Sequence, residues 1–212
     1  MGSSGVVLLI LLAIVMFNRD EQEPLDNKQT EATTTQDVTE VVKDAFLVSD
    51  AITEHLLTIN EYSRPGTELK EVKGVVIHYV GNPATTAENN RNYFESLKDT
   101  HERSASSHYI VGLEGEIIQC VPLDEISYAS NSRNKDTIAI ECCHPDTTGK
   151  FNSKTYESLV KLTAALCKTY GLNPTTDILR HYDITGKMCP VYYVENEEEW
   201  RYFITQVVSQ MK

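Results

Sequence analysis

The chain has 212 residues, 41% hydrophobic and 24% charged, which suits one soluble domain with a tail and excludes a polytopic membrane protein or a wholly disordered chain. Nineteen basic against 31 acidic side chains leave a net charge of −12. That excludes a nucleic-acid binder, whose affinity comes mainly from neutralised phosphates, so any partner must be held by local chemistry. The five cysteines, Cys120, Cys142, Cys143, Cys167 and Cys189, crowd toward the C-terminal half. They are too few for a disulfide scaffold, and the odd count leaves at least one thiol for other work or an intermolecular bond.

Gly5–Phe17 (GVVLLILLAIVMF) is thirteen residues without a charge. As a helix it would span roughly 20 Å, short of a hydrocarbon core of about 30 Å. Two main readings stand for residues 1–17: a short membrane anchor, or a cleaved signal lacking the usual basic start and A-x-A site. Both export the domain, either anchored to a membrane or as a secreted protein. Residues 18–44 hold eight acids, three bases and a threonine run. They read as a flexible acidic linker, because too little apolar surface is present to offset the entropy of ordering.

The domain is expected over residues 45–212. Val48, Ile52, His55, Leu56 and Ile59 share a helical stripe, with Ser49 as a possible cap, and Tyr62–Gly66 turns the chain. Val72–Val80 reads as a buried strand, Thr86–Asp99 as a helix and Thr100–Ser106 as a polar loop. His108–Val111 and Glu116–Val121 flank Leu113–Gly115 as a hairpin. Thr137–Cys143 is a further strand. Apolar residues from Tyr156 to Tyr170 repeat at helical spacing between Ser153 and a terminating Gly171. Trp200, Phe203, Ile204, Val207, Val208 and Met211 do the same in a last helix with an acidic first turn. Strands alternating with helices, and one hairpin among them, predict an α/β fold with a central mixed β-sheet flanked by helices.

The sharpest chemical signal is a set of metal-type donors. His78 lies in the apolar strand, facing the same side as Val76 and Val80. By itself it reads more readily as a hydrogen-bonded core histidine than as a ligand. Arg180–Pro190 (RHYDITGKMCP) adds His181 and Cys189, eight apart in a loop that Gly186 lets turn. Imidazole plus thiolate is a zinc-type set, and three protein ligands with one open position is the pattern of catalytic rather than structural zinc. The plainer alternatives are a surface histidine and a buried, inert cysteine. Cys189 as the nucleophile of a Cys–His peptidase is another, which leaves the second histidine and Lys187 without roles.

GVVIHYVGNPATT, SASSHYIVGLEGEIIQCVPLDE, DTIAIECCHPD and RHYDITGKMCP, in that order, resemble the zinc-dependent N-acetylmuramoyl-L-alanine amidases, the family shared by phage-type amidases and animal peptidoglycan recognition proteins. The likeness runs from about Asn60 to the C-terminus and is nearest to the Gram-positive bacterial or prophage type. It implies a zinc site in a cleft on one sheet face, with His78, His181 and Cys189 as ligands. It implies hydrolysis of the amide between N-acetylmuramic acid and the L-alanine of the peptidoglycan stem peptide.

Family members pair the attacking water with a glutamate or a tyrosine, and Glu141 in TIAIE matches the glutamate version. In a strand Glu141 shares a face with Ala139 and Cys143, opposite Ile138, Ile140 and Cys142; an acid there is costly unless it is paired or put to use. A strand-end salt bridge is the plainer reading. Relatives that use tyrosine place it where this chain has Ser107, so Glu141 must do the acid–base work alone, or the chain is an inactive peptidoglycan-binding module of the same fold. Lys187 lies two residues before Cys189; its fixed charge suits an oxyanion, as the resemblance also implies. Asp183 either orients a ligand or holds the loop. Among the other histidines, His108 reads as core or cleft lining, His55 as core, His101 as loop and His144 as a cleft residue; Cys120 could pair with Cys142 or Cys143. The expected partners are peptidoglycan and, through residues 1–17, a membrane, with no nucleic acid and a monomeric domain.

Overall fold

The computed structural model describes residues 52–212; the apolar segment and the acidic linker read in the sequence lie outside the described residues. Six strands form one mixed sheet: β1 (Ile52–Glu54), β2 (Val75–Tyr79), β3 (Tyr109–Val111), β4 (Ile117–Gln119), β5 (Ile138–Cys142) and β6 (Ile178–Arg180), in the order β1-β4-β3-β5-β2-β6. The β3–β4 hairpin is antiparallel, while β1 runs parallel to β4, β5 to β3, and β2 to both β5 and β6.

Helices cover the two faces unequally. The long helix α2 (Ser153–Tyr170) and the last helix α6 (Glu197–Gln210) pack together. Their Leu159, Leu162, Leu166, Phe203 and Val207 close over Val75, Ile77, Ile138 and Ile140 of the sheet. Asn152 Oδ1 accepts from Thr155 N at 2.9 Å to start α2, and Gly171, at φ +64°, stops it where a side chain would be strained. Among the described helices, α1 (Ala87–Thr100) packs on the opposite face, against β3 and β4. Thr86 and Asn89 form its capping box, and Phe94 and Leu97 join Leu57, Val80, Ile110 and Ile118 in a second core. Among the described residues, no long helix covers the C-terminal ends of β2, β5 and β6 on this face.

The expected helix through Ile52 and Ile59 is not formed over the described part of that stretch. Ile52–Glu54 is an edge strand, and the chain beyond it continues along β4, with His55 N donating to Gln119 O at 3.0 Å and Leu57 N to Cys120 O at 2.9 Å. Leu57 is buried while Ile59 is 64% exposed, and His55 is an exposed residue 3.5 Å from Glu88 rather than part of the core. Here an open sheet edge, together with the Arg91 guanidinium donating to the carbonyls of His55 and Leu56, outweighs the helical spacing. The Arg180–Pro190 loop likewise contains a short helix, α4 (His181–Thr185). Three more short elements escaped the apolar pattern: α3 (Pro174–Asp177), α5 (Val191–Glu195) and a 3-10 turn at Asn131–Arg133.

His108 is fully buried and structural. Its Nδ1 accepts from Ala139 N at 3.0 Å and its Nε2 donates to Glu125 O at 2.9 Å, so the neutral ring closes β5 where the ladder ends. Burial lowers its pKa from 6.5 to about 4. As pH falls, the unfolded chain takes up this proton before the folded one does. The stability is therefore present above about 6.5 and is lost progressively down to about 4, amounting to roughly 3 kcal/mol. Urea unfolding should show a steeper loss between pH 7 and pH 5 for the native chain than for His108→Gln; equal slopes would remove His108 as the cause.

Candidate metal centre and catalytic cleft

Register builds the site. In the parallel pairing of β2 with β5, His78 lies directly opposite Glu141. In the pairing of β2 with β6, Ile77 lies opposite Arg180, so His181 follows at the position beside His78. All three stand where parallel strands end, the usual crevice of an open α/β sheet. Gly186, at φ +76°, ends α4 and turns the chain back, and Cys189 returns to the crevice with its N–H on Lys187 O at 2.7 Å, a tight turn rather than an extended segment. Lys187 and Cys189 nevertheless line the same cleft, as do His78, Glu141 and His181.

The donor atoms of His78, His181 and Cys189 lie within 4.8 Å of one another, and all three residues are buried. His78 Nδ1 is 3.8 Å from Cys189 Sγ, and the two imidazoles meet edge to face at 4.7 Å. The outward nitrogens are occupied: His78 Nε2 lies 3.1 Å from Ser130 Oγ and His181 Nε2 2.8 Å from Asn131 Oδ1. His181 Nδ1 is buried without a hydrogen-bond partner, and so is Glu141 Oε2. A buried orphan nitrogen beside a thiol and a second imidazole fits a borderline-soft cation with one open position.

The electrostatics of the cleft agree with that fit. Burial, helped by the neighbouring His181 and Lys187, lowers His78 well below the ordinary imidazole value, and burial and Lys187 lower His181. Both are pushed toward the neutral form that a metal ligand needs. Burial, reinforced by Glu141, pushes the Cys189 thiol up to about 12. That opposes the low-pKa thiolate a Cys–His nucleophile requires. Burial also raises the Glu141 carboxyl to about 8, with Lys187 pulling in the other direction.

Other expected residues fall elsewhere. Asp183 holds the loop: its carboxylate accepts from Arg180 N at 2.8 Å and from the Arg180 guanidinium at 2.8 to 3.2 Å. Ser107 is buried with its hydroxyl on Tyr109 O, and His144 sits between the carbonyls of Val80 and Asp146. All five cysteines are buried and free, so no Cys120 bridge forms. Sequence reasoning missed Ser130 and Asn131, and also Arg103 and Tyr128, which line the cleft. Only their polar loop setting marks them, which is too common a signal to single them out.

The family profile described as N-acetylmuramoyl-L-alanine amidase matches residues 68–192, and the chain belongs to that family. The N-acetylmuramoyl-L-alanine amidase CwlL of Bacillus licheniformis is 34% identical over 171 residues, covering 74% of this chain and 47% of its own length. BlyA of Bacillus subtilis (strain 168), of the same description, is 34% identical over 179 residues, covering 75% and 47%. The chain thus spans about half the length of these relatives. Among solved structures, the PlyG catalytic domain is 25% identical with a TM-score of 0.63, covering 76% of this chain and 94% of that one. PlyL has the same TM-score at 24% identity, covering 74% and 96%, and shows the shared fold. Among the described residues no helix is long and apolar enough to cross a membrane.

Arg180 anchors the loop that carries two of the candidate ligands. Besides Asp183, its guanidinium donates to Tyr193 O at 3.0 Å and Glu197 Oε2 at 2.7 Å, and lies 5.2 Å from the centre of the Trp200 ring. Arg180→Met deletes these bonds and strands a buried carbonyl, so urea unfolding should show a loss of roughly 1–3 kcal/mol. An unchanged midpoint would mean that the loop is held by packing alone.

Proposed function

We propose that this chain is a zinc-dependent peptidoglycan amidase that cleaves the bond between N-acetylmuramic acid and the L-alanine of the stem peptide. The observation that carries the reading is the buried His78–His181–Cys189 cluster facing Glu141 across one pair of strands. His78, His181 and Cys189 would hold the zinc, which when bound supplies Lewis acidity toward the scissile carbonyl and lowers the pKa of water.

The remaining work falls to the chain itself. An amide resists hydrolysis because its carbonyl is a weak electrophile and its amine a poor leaving group. Glu141 takes the proton of the attacking water and returns it to the departing L-alanine nitrogen. A carboxyl raised by burial toward neutrality is matched to both tasks. Lys187, on the cleft wall, places its ammonium against the negative charge that grows on the carbonyl oxygen. Ser107 is turned into the fold, so the position that holds a tyrosine in some relatives offers no group to the proton transfer. The complete donor set together with Glu141 favours an active enzyme over a binding module.

The localisation proposed with this activity is export, with Gly5–Phe17 as anchor or signal and residues 18–44 as the tether toward the wall. Tethering raises the local concentration of the domain at its polymeric substrate. Membrane fractionation of the full chain should recover it with membranes, or as a secreted product beginning beyond Phe17. Recovery of the intact chain in the cytoplasmic fraction would reject both.

Digestion of purified peptidoglycan followed by mass spectrometry should release stem peptides with a free L-alanine amine and no new reducing sugar ends. New reducing ends would mean a glycosidase, and intact muropeptides a binding module. Glu141→Ala should keep zinc and fold while losing roughly 10²–10⁴ in rate, and Lys187→Ala on the order of 10²–10³. Cys189→Ala should lose stoichiometric zinc. Zinc-loaded Glu141→Ala working within about threefold of wild type would remove Glu141 from the chemistry.

A further inference from the structure

We propose that Ser130 and Asn131 are positioning residues for the metal, a consecutive pair that fixes the ring orientation and tautomer of both histidines so that each presents its Nδ1 to the ion. The inference rests on the proposed zinc site and deepens it.

Three observations carry it. The two contacts are paired: Ser130 Oγ meets His78 Nε2 at 3.1 Å and Asn131 Oδ1 meets His181 Nε2 at 2.8 Å. An amide oxygen only accepts, so His181 carries its proton on Nε2 and leaves a lone pair on Nδ1, the atom that is buried without a partner. With Ser130 accepting from Nε2–H in the same way, His78 turns its Nδ1 lone pair toward Cys189 Sγ.

The second observation is how the pair is braced. Asn134 Oδ1 accepts from both Ala129 N and Ser130 N, at 3.2 and 2.5 Å, and Asn134 N donates to Asn131 O at 3.1 Å. Thr137 Oγ1 donates to Arg133 O at 2.7 Å, and Arg133 pairs with Asp136 at 2.7 Å. None of these bonds involves a histidine, so the clip is preorganised by its own loop.

The third is the backbone. Asn131 stands at φ +52°, a left-handed conformation that costs energy for any side chain and is best tolerated by asparagine. Glycine would relieve that strain but has no oxygen for His181. Partners of this kind on the second ring nitrogen commonly govern metal affinity.

The test is zinc affinity of the full chain, measured by competition with a chelator of known affinity, beside thermal melts of the metal-free proteins. Asn131→Gly keeps the backbone conformation accessible and deletes the acceptor; Ser130→Ala deletes the hydroxyl. Each should bind zinc about 10- to 100-fold more weakly with an unchanged metal-free melt, whereas Asn131→Asp, which keeps an acceptor oxygen, should stay within about threefold of wild type or bind more tightly. Wild-type affinity in both deletion variants would overturn the proposal, as would Asn131→Asp weakening as much as Asn131→Gly. A wild-type chain that takes up no stoichiometric zinc would instead remove the metal reading beneath it, so the two failures are distinguishable.

Discussion

The site depends on the parallel register of β2 with its neighbours. A strand alternates its side chains, and a slip by one residue turns every one of them to the other face. Because Val75, Ile77, Ile138 and Ile140 must all reach the core under α2 and α6, His78 and Glu141 must both face away from it. Their apposition is then a consequence of hydrophobic burial on the opposite side of the sheet. The same argument fixes β6: Ile178 and Arg180 point toward the α6 side, and His181 follows at the crevice.

Unequal helix coverage turns that apposition into a cleft. α1 packs on β3 and β4 and leaves the ends of β2, β5 and β6 open. The loop 129–136 closes one side and the Arg180–Cys189 segment the other. Neither is held by a large core. The first is held by the Asn134 and Thr137 hydrogen bonds, the second by Arg180 gripping Asp183, Glu197 and the Tyr193 carbonyl. Local polar bonds suit this purpose, because they fix geometry in a crevice too small to spare apolar volume.

How much of this was legible in the sequence follows the same physics. Strands β2 and β5 and helices α2 and α6 declared themselves because a buried strand is continuously apolar and a covering helix repeats at 3.6 residues. The spacing drew attention to His181 and Cys189, but a lone strand histidine reads as core, so His78 joined them, and Glu141 and Lys187 took their candidate roles, mainly through the resemblance of four motifs in order. Ile52–Ile59 misled, since its spacing satisfies a helix while the open edge of β4 offers a ladder that only the folded sheet reveals. β6 was too short at three residues to show a period. Ser130 and Asn131 were invisible for a different reason: their significance lies in contacts with residues about fifty positions away, and polar loop residues carry no periodicity at all.

Charge explains why a donor set so deeply placed is compatible with folding. A buried ion without a partner costs several kcal/mol, and His78, His181, Cys189 and Glu141 share one cleft. Burial moves each of them toward its uncharged form: His78 and His181 downward, Cys189 and Glu141 upward. The four groups therefore tend to be uncharged as the chain folds, and the fixed charges among the described residues that line the cleft, Lys187 and Arg103, are exposed. A divalent cation reverses that balance, since it favours the thiolate and the carboxylate that burial disfavours, and the displaced protons leave with its arrival. The affinity of the proposed site should accordingly be bounded on the acid side by Cys189 rather than by the histidines, whose neutral forms are already in place. Burial therefore favours the uncharged imidazoles in advance, whereas the Cys189 thiol would have to give up a tightly held proton to bind a cation.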